Sequence, residues 1–196
     1  MSYYVNSNHV LVGPNVIYKP IPEATTAAKI VPWSVIMHTN AAPAYTRWER
    51  LWAYMNRADI NIESHLQVDL DGAIVQMVPF NVKADCNYKA NSFQTPAGLA
   101  GAISIETADR GAATLNTTPW TVAQLDAIVG AVAAVGHKYG IPYSQPTAWN
   151  DRGVGHHSLF QEWSVYKGKT CPGASRIRQM DYIRQQAAHT CACAPG

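Results

Sequence analysis

The residues of this 196-residue chain that could activate a nucleophile are widely scattered. The serine-hydrolase elbow G-x-S-x-G is absent, as is the zinc helix H-E-x-x-H. The glycine patterns that cradle dinucleotides or triphosphates are missing too. What remains is a set of metal-type donors: His38 at the end of an apolar run, the adjacent His156 and His157, and Cys171 before Pro172 and Gly173. A catalytic zinc typically takes three protein ligands from histidine, cysteine or carboxylate and leaves one position for water. Two imidazoles and a thiolate meet that count, and zinc can lower the pKa of water to about 7, enough to attack an unreactive amide. The reaction also needs a base for the water proton and a cation for the oxyanion. Glu106 and Lys169 are the candidates. Lys169 lies two residues before Cys171, so on an extended segment both side chains share a side.

These residues need elements to hold them. Val35, Ile36 and Met37 read as a buried strand that emerges at His38, and Gly101 to Glu106 reads as another short strand ending in a carboxylate. Between them, Trp48, Leu51, Trp52 and Met55 fall at i, i+3, i+4 and i+7, which predicts a helix over Tyr45 to Asn56. Residues Ile62 to Val78 alternate Leu66, Val68 and Leu70 with His65, Gln67 and Asp69, then turn at Asp71-Gly72, the dipeptide favoured in two-residue hairpin loops. His65 then stands on the polar face of its strand as a candidate substrate contact. Thr121 and Gln124 fit a capping box, opening a helix whose stripe runs from Leu125 to Val135 and stops at Gly140 and Pro142. Ser144 to Thr170 shows little regularity, and a loop that long within a domain is usually functional. Ile177, Met180 and Ile183 mark a last helix. Residues 1–30, rich in Pro, Asn and Thr, read as an extended arm, and 187–196 as a tail or the start of a linker.

Composition narrows the function classes. A hydrophobic share of 47% against a charged share of 14% supports one packed domain. A net charge of +2 without a basic run argues against a nucleic-acid partner. The most apolar stretch, Val122 to Val135, contains Asp126 and falls short of the ~20 residues of a membrane span. The N-terminus has no secretory pattern, so synthesis in the cytoplasm is expected. Cys86, Cys171, Cys191 and Cys193 are too unevenly placed for a disulfide framework.

Five segments together resemble the type-2 N-acetylmuramoyl-L-alanine amidases, which share a fold with T7 lysozyme and the peptidoglycan recognition proteins. They are I-M-H-T, E-S-H-L-Q-V-D-L-D-G-A-I-V-Q-M-V-P, G-A-I-S-I-E, G-V-G-H-H-S-L-F and G-K-T-C-P-G. The last is the most specific, because the family pattern is Lys, any residue, then Cys or Asp before Pro-Gly. The resemblance spans roughly 31–186 and implies an α/β domain with a mixed central β-sheet flanked by helices.

The resemblance further implies His38, Cys171 and one histidine of the pair as ligands of Zn2+, with Glu106 as base and Lys169 as oxyanion stabiliser. By analogy with phage lysins of actinobacterial hosts, His157 is favoured over His156, which is left as a substrate contact. The stretch Asp85 to Asn91 also looks like those enzymes and is expected to line the groove through Asn87 and Asn91. Where T7-type members carry a catalytic tyrosine this chain has Ser64, which shifts weight to Glu106. The implied substrate is bacterial peptidoglycan, cut between muramic acid and L-alanine by a monomer of the endolysin kind that reaches the wall after release. A peptidoglycan-binding module without turnover is the alternative, although such modules typically lack the cysteine.

Overall fold

Three neighbouring parallel strands, the last of them at the edge of the sheet, decide by their pairing what meets at their ends. The computed structural model describes residues 2–190 other than 43, 61, 112, 113 and 115. Strand β4 (Val31–Met37) lies between β8 (Gly98–Thr107) and β9 (Gly153–His156), parallel to both. Outward from β8 come β5 (Leu66–Val68), parallel to it, and β6 (Ile74–Gln76), antiparallel to β5. Strand β3 (Val16–Tyr18) closes that edge, while β7 (Phe93–Thr95) pairs with the start of β8. Among the described residues the sheet has seven strands in mixed orientation, mostly parallel.

Because side chains alternate across a strand, each face of the sheet is set by residue parity. Val35, Met37, Ile103, Ile105, Leu66 and Val68 face the long helix α3 (Val122–Tyr139) and share one core with it. Helix α5 (Met180–His189) packs on the same side through Met180, Ile183 and Ala187. The opposite face is covered by helix α2 (Trp48–Met55) at one end, where Met55 meets Val75 and Met77. At the other end Trp163 covers Ile36 and Ala102. Two four-residue helices, α1 (Glu23–Thr26) and α4 (Ala174–Ile177), complete the set.

Several sequence expectations hold in detail. The capping box is formed: Thr121 Oγ1 accepts from the Gln124 backbone, and Gln124 Oε1 accepts from the Thr121 backbone at 3.2 Å. Gly140 ends α3 in the left-handed region at φ 65°. The hairpin of β5 and β6 exists but with a different turn. Asp69 N–H bonds Ala73 O and Gly72 N–H bonds Asp69 O, so the loop has Leu70, Asp71 and Gly72, with only Gly72 at positive φ. A two-residue type I′ turn would need positive φ at Asp71 as well.

Other expectations change. Helix α2 begins at Trp48, where Asp69 Oδ2 accepts the Trp48 N–H at 3.1 Å. The stretch from Ser144 to Thr170 contains β9, hidden in the sequence by its two glycines. Gly155 is needed there, since a Cβ would sit 2.7 Å from the Trp163 ring. The segment before Val31 carries regular structure: strands β1 (Tyr4–Val5) and β2 (Leu11–Val12) pair, and β3 joins the main sheet. Cys191 and Cys193 lie outside the described residues, and Cys86 and Cys171 are free thiols. No described helix is long and apolar enough to cross a membrane.

Candidate active site

The register Met37↔Ile105 and Met37↔His156 continues one step further, into a row of Glu106, His38 and His157 at the carboxyl ends of three neighbouring strands. The His38 N–H bonds Ile105 O at 2.8 Å and the His157 N–H bonds Met37 O at 3.1 Å, which keeps the row aligned. Parity puts all three side chains on the face away from α3, with Ile36 and Gly155. This also separates the two adjacent histidines. His156 shares its parity with Val154 and turns toward α5, where Arg184 lies; its Nδ1 meets Ser158 Oγ at 3.1 Å. His157 turns toward His38, with ring centroids 4.3 Å apart.

Cys171 arrives from the loop that follows Trp163. Its carbonyl accepts from Ser158 N–H at 3.0 Å, and its Sγ accepts from Thr39 N–H at 3.3 Å. His38, His157 and Cys171 each offer one donor atom, and these atoms all lie within 4.8 Å of one another. Hydrogen bonds determine which imidazole nitrogen is available. His157 Nε2 faces the Trp163 carbonyl at 2.8 Å, an acceptor only, so Nε2 holds the proton and Nδ1 keeps its lone pair. His38 Nε2 likewise meets Asn87 Oδ1 at 2.7 Å. Metal-bound histidines use this device, donating from the second nitrogen to fix tautomer and ring direction.

The electrostatics suit the same reading. Burial pushes His38 well below its ordinary range, helped by His157, and lowers His157 to about 4 despite its bond to Trp163. Both are neutral imidazoles at neutral pH, as metal ligation requires. Burial pushes the Cys171 thiol up and Glu106 adds to this, while the Thr39 N–H, Lys169 and Arg176 pull it down. Glu106 is raised to about 8 by burial and by Asp109, with Lys169 opposing. Its Oε1 lies 3.8 Å from His38 Nδ1, and its Oε2 is buried without a partner among the described residues. Two nitrogens and a sulfur, with a carboxyl and an amine beside them, form a donor set that suits zinc.

The row forms the floor of a groove of about 630 Å³, lined also by Asn40, Ile62, Asn91, Tyr166 and Lys169. Lys169 is exposed, with Nζ 5.5 Å from the centre of the Tyr166 ring. Asn91 lines the groove, and its side chain accepts from the Asn87 N–H. Three expected substrate contacts lie elsewhere. His65 is fully buried under the sheet, its Nε2 on the Val82 carbonyl at 2.9 Å and its Nδ1 near Ser104, because β5 is an interior strand covered on both faces. Asn87 is fully buried behind His38, and His156 faces the α5 side. Ser64 is also buried, donating to carbonyls of the sheet.

Fold and site define a class, an α/β domain whose groove across parallel strand ends holds a His–His–Cys donor group with a carboxyl and an amine beside it. The family model for N-acetylmuramoyl-L-alanine amidase matches residues 27–174, and the chain belongs to that family. A search of curated protein sequences gives no significant match. Among solved structures, the N-acetylmuramoyl-L-alanine amidase LysC from Clostridium intestinale URNW superposes with a TM-score of 0.62 at 16% identity, covering 90% of this chain and 99% of that one. PlyL gives 0.58 at 19%, covering 88% and 96%. The hydrolase AmiA from Staphylococcus aureus gives 0.63 at 13%, covering 90% and 84%. At these identities the likeness is one of fold.

Proposed function

We propose that this protein hydrolyses the amide bond between N-acetylmuramic acid and L-alanine in bacterial peptidoglycan, with Zn2+ held by His38, His157 and Cys171. The observation that carries the proposal is the convergence of these three donors within 4.8 Å beside Glu106, in a groove on a family-typical fold. An ion held there supplies Lewis acidity, which acidifies a water and polarises a carbonyl.

The chain's own residues do the rest. Glu106 takes the proton of the attacking water and returns it to the departing L-alanine amine. A carboxyl held near 8 by its surroundings is suited to the second task, and a dication beside it would draw its pKa down and suit it to the first. Lys169, at the groove rim, donates to the carbonyl oxygen as that oxygen gains charge. Asn87 and the Trp163 carbonyl keep both imidazoles in one tautomer. The protein acts in the manner of a phage endolysin, reaching the wall after release, as a monomer.

Digestion of purified peptidoglycan with and without a zinc chelator tests this directly. Newly exposed L-alanine amino termini that disappear with chelator are expected. Cleavage elsewhere in the stem peptide, or none in zinc-replete buffer, contradicts the proposal.

A further inference from the structure

Arg176, on α4, carries a permanent charge yet is fully buried. Its Nη1 donates to Thr39 Oγ1 at 2.6 Å and to the Pro172 carbonyl at 3.4 Å, while Nε and Nη2 have no partner among the described residues. Burying a guanidinium is costly, and here three of its five N–H donors lack a partner among the described residues, so what its remaining contacts hold in place is informative. Both of its partners flank Cys171. Pro172 is the next residue in the chain, and Thr39 is the residue whose N–H points at Cys171 Sγ, 3.3 Å away. Thr39 Oγ1 in turn lies 3.0 Å from Asp109 Oδ2, so the threonine joins a buried cation to a buried anion and is held from both sides.

We infer that Arg176 is a positioning residue for the Cys171 sulfur, gripping Thr39 and Pro172 so that Sγ faces the two imidazoles and setting a fixed positive charge behind it. The inference rests on the reading of Cys171 as a metal donor. It concerns how a loop residue, with no strand register of its own, comes to meet His38 and His157. Outer partners of metal ligands commonly change affinity by 10–100-fold when removed.

The test uses the full chain with Arg176→Met, Arg176→Lys and Thr39→Val. Zinc affinity is measured by competition with a chelating dye, and the sulfur-to-metal charge-transfer band of the cobalt-substituted protein is recorded alongside. Arg176→Met should weaken zinc binding roughly 10–100-fold and alter the band. Arg176→Lys, which keeps the charge and a donor group but not the planar fork, should recover part of the loss. Thr39→Val, nearly isosteric, should weaken binding roughly tenfold and decides the matter if Arg176→Met does not fold. Folded variants with the wild-type affinity and band overturn the inference. A wild-type chain that binds no zinc overturns the underlying metal reading instead.

Discussion

The site is assembled from two unlike regions. Glu106, His38 and His157 stand in a row at strand ends, aligned by backbone hydrogen bonds between β8, β4 and β9. Lys169 and Cys171 come from a loop with little regular structure, in which residues 165–170 are exposed. In the row, position follows from register: one residue of slip would turn every side chain to the other face. In the loop, position depends on a few side-chain and backbone contacts, chiefly Ser158 and Thr39 on Cys171, with Arg176 behind Thr39. The difference shows how one small domain can fix His38, His157 and Glu106 by strand register while a loop of exposed residues walls the groove beside them.

The comparison breaks most sharply at the histidine pair. His157→Ala should lower amidase turnover at least 10³-fold by removing a donor, whereas His156→Ala, on the other face, should stay within about threefold, both measured by release of L-alanine termini. Equal losses would refute the assignment by parity. On the loop side, Lys169→Met should lower kcat roughly 10²-fold, the usual scale for removing one oxyanion donor, with the melting temperature unchanged because the side chain is exposed.

Smaller effects probe the sheet itself. His65 is buried neutral, its pKa lowered by burial to about 4, with the bond to Val82 opposing. The unfolded chain binds the proton near 6.5, so between about 6.5 and 4 it holds more protons than the folded one and stability falls as pH falls. His65 alone should contribute a loss of about 2–3 kcal/mol by the acid end of that window. Urea midpoints against pH should show it, and His65→Leu should flatten that part of the slope. Gly155→Ala, whose Cβ would meet Trp163 at 2.7 Å, should cost about 1–3 kcal/mol by overpacking and disturb the carbonyl that fixes His157.

By residue type and spacing alone, His38 at the end of an apolar run and Glu106 at the end of a short strand are weak signals; the family resemblance, carried most specifically by the Lys169-Thr170-Cys171-Pro172-Gly173 segment, joins them into one site. Once β9 is known, alternation along it puts His157 on the side of His38 and turns His156 away, but the glycines of β9 conceal the strand. His65 and Asn87 lie away from the groove for one reason: polar residues of an interior strand or a folded loop can be buried and hydrogen-bonded within the fold, His65 to the Val82 carbonyl and Asn87 to His38, and local sequence does not distinguish that from exposure to a groove. Arg176 gave no signal, being one charged residue beside the apolar stripe of the last helices, and its use depends on Thr39, distant in sequence. The turn at Gly72 differed because Asp71 takes a negative φ.

X-ray absorption at the zinc edge of the purified, zinc-loaded protein tests the central claim most directly. The account predicts one sulfur at about 2.3 Å and two imidazole nitrogens at about 2.0–2.1 Å, with the sulfur lost in Cys171→Ser. A first shell of nitrogen and oxygen alone, or no bound zinc, would contradict it.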